Sequence, residues 1–186
     1  KLLSFLTVLE KMKCNTRHSW TSTNRHESVA EHSWRLAMFA YCVKDEFLDI
    51  DMDKVMLMCL THDIGEAITG DIPSFLKTEV NEADESKAIF ALLETLDDPQ
   101  KDELIALFQE MLALETKEAK LYKTLDKLEA VMQHNQADLS TWLPIEYELN
   151  QTYGQEEAAE FPYLKKLREA LLNETLQKIE NANTDK

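Results

Sequence analysis

The chain has 186 residues, of which 44% are apolar, and its formal net charge is -15. This length is enough for one domain with a sizeable hydrophobic core, and the composition excludes a disordered chain. The negative charge disfavours nucleic acids and anionic membranes as partners, so an anionic substrate would need a local cationic site. No apolar run approaches the ~20 residues that span a bilayer.

Turn-forming residues are scarce, with only 3 Gly and 4 Pro in the chain. An average protein contains about 7% glycine alone, so this composition predicts long helices and short connections. We expect one all-α domain over residues 1–186, a bundle of about six to eight helices with its last few residues frayed. The three cysteines are odd in number and lack paired-ligand spacing, which predicts a reducing, cytoplasmic environment.

The first third of the chain predicts two amphipathic helices separated by a loop. Apolar residues share one helix face over residues 2–12, and the polar segment 13–28 is predicted to be the loop. Ser28 and Glu31 form a capping-box pattern for a helix over residues 29–48. The helical spacing predicts that its buried side chains are Val29, Leu36, Phe39, Ala40 and Val43.

The next predicted helix, residues 53–68, is apolar almost all round and should be central, with Gly70 as its stop. Three more helices are predicted over residues 83–96, 99–114 and 116–139, and a last one over residues 163–180. The apolar stripe of the helix 116–139 consists of Leu121, Leu125, Leu128 and Met132.

His62 and Asp63 stand side by side after the apolar run of the central helix. A buried charge costs several kcal/mol unless it is paired or bound to a metal, so this pair indicates a cation site; an exposed helix end is the alternative. Glu66 follows one turn later, either facing a ligand on that cation or as a surface glutamate. Asp71 comes after Gly70, where a turn or cap residue is the alternative.

Two further residues have the side chains that a metal site requires. His32 lies near the start of an amphipathic helix, although a lone helical histidine is more often structural or exposed. Asp126 lies inside a helix, where aspartate is unfavourable, and the alternative is a solvated acid beside Lys123 and Lys127.

Several other catalytic motifs are absent from the sequence. There is no Glu-x-x-His pair, which excludes the ferritin-like di-iron pattern. Ala30 stands where a zincin would have its second histidine. The sequence has no Gly-rich phosphate loop, no Gly-x-Ser-x-Gly elbow and no cysteine with a nucleophile signature.

The chain resembles the HD-domain metal-dependent phosphohydrolases in the order of its motif residues. Three predicted helices supply them in turn: His32, the pair His62-Asp63, and Asp126. The segments ESVAEHSWRLA and THDIGEAITGDIP resemble the bacterial 5'-deoxynucleotidase branch, and the likeness extends from about Leu2 through the helix of Asp126. It implies a helical bundle around one divalent metal, with His32, His62, Asp63 and Asp126 as ligands. Nitrogen and oxygen ligands do not choose among Mn, Fe, Co, Ni and Zn.

The resemblance also implies a reaction, in which metal-bound water attacks the phosphorus of a nucleoside 5'-monophosphate. Glu66 would handle the proton, and Asp71 would position the water or the leaving oxygen. Arg17 matches an arginine that contacts the phosphate, for which its bidentate fork is suited.

The loop departs from the family pattern, in which a tryptophan directly follows that arginine. Here His18 follows Arg17 and Trp20 comes two residues later, so the resemblance does not define the sugar and base contacts. Arg25 and the neighbouring His26 would either share the phosphate contacts or belong to a solvated loop.

The histidine content predicts a single metal, because dinuclear members of the superfamily have extra histidines before the final aspartate. None occurs between Ile64 and Leu125, and His134 is about 12 Å along the helix from Asp126. The resemblance further implies a homodimer. Two alternatives remain: a phosphohydrolase with another phosphorylated substrate, and a non-catalytic nucleotide-binding domain.

Overall fold

The computed structural model describes residues 1–184 and is predominantly helical. This confirms the all-α prediction, and seven of the helices in the described range have eight residues or more, within the expected six to eight. The helices are α1 (Leu2–Leu9), α2 (Lys11–Cys14), α3 (Val29–Val43), α4 (Met52–Thr61), α5 (Glu66–Thr69), α6 (Glu79–Leu93), α7 (Gln100–Ala113), α8 (Lys117–Gln136), α9 (Glu146–Thr152), α10 (Gln155–Ala159) and α11 (Pro162–Thr184).

The chain forms two compact units, and the single-domain reading stays a prediction. The first unit contains residues 1–18 and 27–122, and the second contains residues 19–26 together with the chain from Lys123 onward. Among the described residues, no helix combines the length and apolar character needed to cross a membrane.

Helix α3 begins where the capping box predicted. The Ser28 side chain accepts a hydrogen bond from the Glu31 backbone N–H, and the Glu31 carboxylate accepts one from the Ser28 backbone N–H. This reciprocal pair satisfies two backbone donors at the helix start. Four of the five predicted core side chains of α3 are buried, whereas Phe39 is only half-buried. In the first unit α3 packs along α4, and α2 packs against both α3 and α5.

The predicted central helix 53–68 is wrong in one respect, because it breaks after Thr61. Helix α4 starts at Met52, and α5 is a separate piece that starts at Glu66. In the turn between them the Ile64 N–H donates to the Thr61 carbonyl and the Glu66 N–H to the Asp63 carbonyl, each three residues back. The break places the His62-Asp63 pair in a turn.

Helix α6 approaches this turn closely at Gly65. A Cβ atom added to Gly65 would lie 2.6 Å from Ile89 Cγ1 and 2.9 Å from Glu85 Cγ. Only glycine allows α6 this close, since real Cβ contacts are not that short.

The predicted loop 13–28 contains regular structure instead. It holds the end of α2 and two paired strands, β1 (Thr16–Trp20) and β2 (His26–Ser28). The connection has Asn24 at φ 59°, a conformation that asparagine tolerates. The sequence did not predict this hairpin, because the segment TRHSW lacks the alternation of apolar and polar residues that is typical of a strand.

In the second unit, α9, α10 and α11 pack together. Arg168 of α11 is buried and donates from Nε to the Tyr153 carbonyl and from Nη2 to the Asn150 carbonyl, at the C-terminal end of α9. A cation at a helix C-terminus satisfies its unpaired carbonyls.

Two details at the helix level differ from the sequence predictions. In α8 the buried apolar stripe is completed by Val131, because Met132 is only half-buried. Helix α11 extends to Thr184, and the predicted fraying of Asp185 and Lys186 lies outside the described residues.

Candidate metal centre

Three of the four predicted metal ligands lie together in the first unit. Asp63 Oδ2 is 3.0 Å from His62 Nε2 and 3.9 Å from His32 Nε2. The two imidazole rings are 5.3 Å apart between centroids and inclined at 67°. Helix α3 supplies His32, and the turn after α4 supplies the other two. All three side chains are buried, so the alternative of an exposed helix end does not hold.

The imidazole of His62 is oriented by the backbone of α4. Its Nδ1 lies 2.9 Å from the Cys59 carbonyl oxygen, an acceptor that calls for a proton on Nδ1. When the ring is neutral, which is the form that binds a metal, the lone pair is then on Nε2, the atom that faces Asp63. A second partner that sets the tautomer in this way is a regular feature of metal-binding histidines.

These donors fit a divalent cation. Neighbouring donors on one cation with bonds of about 2.1 Å are separated by about 3 Å, and the Asp63 carboxylate stands at that separation from His62 Nε2. Two neutral nitrogens and one anionic oxygen suit a divalent transition metal. A further observation agrees: Oε2 of Glu66 is buried with no hydrogen-bond partner in the described part of the chain. An unpaired buried carboxylate oxygen is costly unless a cation or an ordered water serves it.

Asp126, the fourth predicted ligand, belongs to α8 in the second unit. Its carboxylate is largely buried and lies 2.9 Å from Lys123 Nζ. The ion pair with Lys123 agrees with the alternative of an acid paired with its neighbouring lysines. The burial of the Asp126 carboxylate disagrees with a solvated acid. Its role as a ligand stays a prediction.

The Asp63 carboxylate is held ionised by its neighbours. Burial by itself would raise its pKa, but without a metal the positive charges of protonated His62 and His32 and of Arg17 outweigh burial, and the pKa of Asp63 falls well below its ordinary value. An ionised carboxylate is the form that binds a cation.

Glu66 and Asp71, the two predicted catalytic acids, have the opposite tendency. Burial first, and then the negative charge of Asp63, raises the pKa of Glu66. Burial likewise raises the pKa of Asp71, with Asp63 adding to the shift and Arg17 opposing it. Glu66 is therefore buried and not a surface glutamate, and its role in proton transfer stays a prediction.

Arg17, on β1, lies beside the cluster. Its Nη1 is 3.5 Å from Asp63 Oδ2, and its Nε is 3.5 Å from Oε2 of Glu27. Glu27 is buried, and one of its oxygens lies within 4.8 Å of a His32 ring nitrogen. The sequence reasoning missed Glu27, because no local pattern distinguishes it from the other polar residues of its segment.

The remaining predicted substrate residues fall in both units. In the first unit His18 contacts Phe75 edge-on, with ring centroids 5.4 Å apart. In the second unit the ring centroids of Trp20 and His26 are 4.1 Å apart, and Nη1 of Arg25 donates a hydrogen bond to the His26 carbonyl. Their roles as substrate contacts stay predictions.

Two more neighbours of the site were missed by the sequence reasoning. One carboxylate oxygen each of Asp63, Glu66 and Glu85 lies within 4.8 Å of the other two. Lys77 Nζ is 2.5 Å from Oε2 of Glu85. Burial disfavours the charged form of Lys77, but Glu85 outweighs it and raises the pKa of Lys77. Both residues lie well beyond Asp63 in the chain, so only folding reveals their proximity.

The family comparison agrees with this arrangement. A family model described as an HD domain matches residues 9–167 of the chain. This match covers most of the chain, including all four predicted ligands.

Curated relatives are about one third identical to the chain over the residues that align. The 5'-deoxynucleotidase HDDC2 of Dictyostelium discoideum is 33% identical over 141 residues, which are 70% of this chain and 74% of that protein. Human 5'-deoxynucleotidase HDDC2 is 32% identical over 136 residues, which are 71% of this chain. The chain covers 66% of the human protein, just under two thirds of its length.

Solved structures share the fold. A predicted metal-dependent phosphohydrolase from Magnetospirillum magnetotacticum superposes with a TM-score of 0.81 and 27% identity, over 95% of this chain and 92% of the other. A conserved hypothetical protein from Pyrococcus furiosus gives a TM-score of 0.71 and 27% identity, over 92% and 98%. The resemblance predicted from the His and His-Asp motifs is thereby confirmed: the chain belongs to the HD-domain family.

Proposed function

We propose that this protein is a metal-dependent phosphomonoesterase that hydrolyses deoxynucleoside 5'-monophosphates. The observation that carries the proposal is the meeting of His32, His62 and Asp63 at one point, with the cationic Arg17 3.5 Å from Asp63. Such a site pairs metal ligands with a residue suited to a phosphate. The relatives named 5'-deoxynucleotidase favour a deoxynucleotide over other phosphate esters.

In this proposal His32, His62 and Asp63 hold one divalent metal, and Asp126 completes the set by the motif match. The metal is Mn, Co, Fe, Ni or Zn, and when bound it supplies a nucleophile near neutral pH by lowering the pKa of water. The absence of any histidine between Ile64 and Leu125 supports a single metal.

The chain's own residues then bind the substrate and move the proton. Arg17 binds the phosphate oxygens through its planar fork. Glu66, buried and with a raised pKa, takes or returns a proton at Oε2. Asp71 orients the attacking water or the leaving oxygen. His18, Trp20 and Arg25 contact the sugar, the base or the phosphate.

The setting of the enzyme is also a proposal. We place it in the cytoplasm as a homodimer acting on a small nucleotide, without nucleic-acid or membrane partners. The exposed thiols of Cys14 and Cys42 suit a reducing compartment. The net charge of -15 disfavours polyanionic partners.

The test is phosphate release from matched 2'-deoxy and ribo 5'-monophosphates after chelator treatment and re-addition of Mn, Co, Zn or Mg. We expect metal-restored turnover that favours the deoxy substrates and disappears in His62→Ala. If only other phosphate esters are hydrolysed, the protein is a phosphohydrolase with a different substrate. Stoichiometric metal without turnover of any phosphate ester would favour a non-catalytic nucleotide-binding domain.

A further inference from the structure

We propose that Asn15 is a positioning residue that ties Glu66 to the helix carrying His32. Asn15 lies between α2 and β1, and its side chain donates a hydrogen bond to the backbone of Glu66. The inference rests on the proposed role of Glu66 in proton transfer.

The side chain of Asn15 holds the start of α5. Its Nδ2 donates a hydrogen bond of 2.5 Å to the backbone carbonyl of Glu66. The same carbonyl accepts the Gly70 N–H at 2.9 Å, so the amide of Asn15 is its second donor. Helix α5 has only four residues, and a helix of one turn is not stable by itself. The position of Glu66 therefore depends on contacts from outside α5, and Asn15 provides a direct one.

The backbone of Asn15 holds the start of α3. Its carbonyl accepts the N–H of Val29, the first residue of α3, at 3.0 Å. The first N–H groups of a helix have no partner within the helix. The Ser28 hydroxyl satisfies the N–H of Glu31, and Asn15 satisfies that of Val29. His32 follows Val29 by one turn, so the end of α3 that carries the ligand is fixed to Asn15.

Asn15 is itself anchored. Its N–H donates to the Lys11 carbonyl at 2.8 Å, at the end of α2, and α2 packs against both α3 and α5. Asn15 thus connects Val29, the first residue of α3, with Glu66, the first residue of α5. Loss of the amide would release α5 while leaving the carbonyl contact to α3 in place. A shift of about 1 Å in a reacting group can slow a reaction by about 100-fold.

The test compares Asn15→Ala and Asn15→Asp with the unaltered protein, each loaded with metal. Aspartate has the shape of asparagine but, when ionised, cannot donate to the Glu66 carbonyl. We expect both variants to lower kcat by about 10- to 100-fold, with KM and bound metal unchanged. A merely structural role would instead lower metal content and Tm together, and that result would overturn the inference.

Asn81→Ala is the matched control. Asn81 also uses its side chain on a backbone group, accepting the Thr78 N–H in the capping box of α6. We expect this variant to lower Tm and to keep kcat. A loss of kcat in Asn81→Ala equal to that in Asn15→Ala would make the effect non-specific and overturn the inference.

A second readout does not depend on turnover. Amide hydrogen exchange over residues 66–70 should be faster in Asn15→Ala, since α5 loses a tertiary hydrogen bond. If the unaltered protein hydrolyses no nucleotide, the proposed function fails and the exchange rate alone decides on Asn15. Unchanged exchange over α5, or unchanged kcat in an active enzyme, would overturn the inference.

Discussion

The half-buried Arg17 forms an ion pair with the buried Glu27, with 3.5 Å between Nε of the arginine and Oε2 of the glutamate. The other edge of the same guanidinium faces Asp63, 3.5 Å from Nη1 to Oδ2. The two carboxylates flank one planar group and fix its orientation, because the guanidinium donors have a rigid geometry. Glu27 thereby holds in place the residue proposed to bind phosphate.

We expect Glu27→Gln to raise KM for a monophosphate several-fold, since the amide keeps the size but loses the charge that orients Arg17. Arg17→Ala removes the proposed phosphate contact itself. Hydrogen bonds to charged groups contribute about 1.5–3 kcal/mol, so its KM should rise by roughly 10- to 100-fold. Steady-state kinetics measures both.

Glu110→Gln is the control for Glu27→Gln, because Glu110 pairs with Lys54 at 2.9 Å in the same unit. It should leave KM unchanged. An unaltered KM in both Glu27→Gln and Arg17→Ala would remove Arg17 from the substrate site.

The substitution Asp63→Asn should sharply reduce bound metal, because it removes the charge of the proposed anionic ligand while preserving its size. Metal analysis after dialysis against a buffered metal solution measures the loss. Asp49→Asn, which breaks an exposed pair with Lys117, should retain full metal content. Normal occupancy in Asp63→Asn would refute the metal centre.

The stability of the metal-stripped protein should depend on pH through Glu66. Its folded-state pKa is raised above the ordinary value of 4.5, so the folded state binds this proton more tightly than the unfolded state does. The corresponding stability is complete below pH 4.5 and is lost as the pH rises toward the folded-state pKa.

Glu66→Gln removes this titration. The Tm of the variant should therefore exceed that of the unaltered protein at neutral pH, and the difference should shrink as the pH falls toward 4.5. Glu79→Gln, an exposed change at the start of α6, controls for the loss of one carboxylate. A Tm difference that stays constant between pH 4.5 and 8 would contradict the prediction.

Gly65→Ala should destabilise the protein by about 1–3 kcal/mol, the usual cost of overpacking. The new Cβ would lie 2.6 Å from Ile89 Cγ1, and this contact would force α6 away from the turn that carries His62 and Asp63. Denaturant unfolding measures the change. The free energy that Gly65→Ala costs should be smaller in an Ile89→Ala background than in the unaltered protein, because neighbouring substitutions couple. Full additivity of the two changes would contradict the contact.

The sequence predicted features that depend on neighbours along the chain. The capping box at Ser28 and Glu31 requires residues three positions apart, and the structure shows both hydrogen bonds. The His and His-Asp motifs identified the family because those residue types are rare in an apolar helix unless they bind something. The break after Thr61 was not predictable from the apolar pattern, which continues through Ile68.

From the sequence alone came the helical class, the family and the residue types of the metal centre, since these follow from composition and short spacing. Tertiary structure alone decided which polar residues surround that centre. Asn15, Glu27 and Glu85 look like ordinary polar residues in the sequence, yet they contact Glu66, Arg17 and the ligand turn. Their partners lie 10 or more residues away. The pairing of β1 with β2 brings Glu27 to Arg17, and the packing of α2 and α6 against α5 brings Asn15 to Glu66 and Glu85 to the turn of His62 and Asp63.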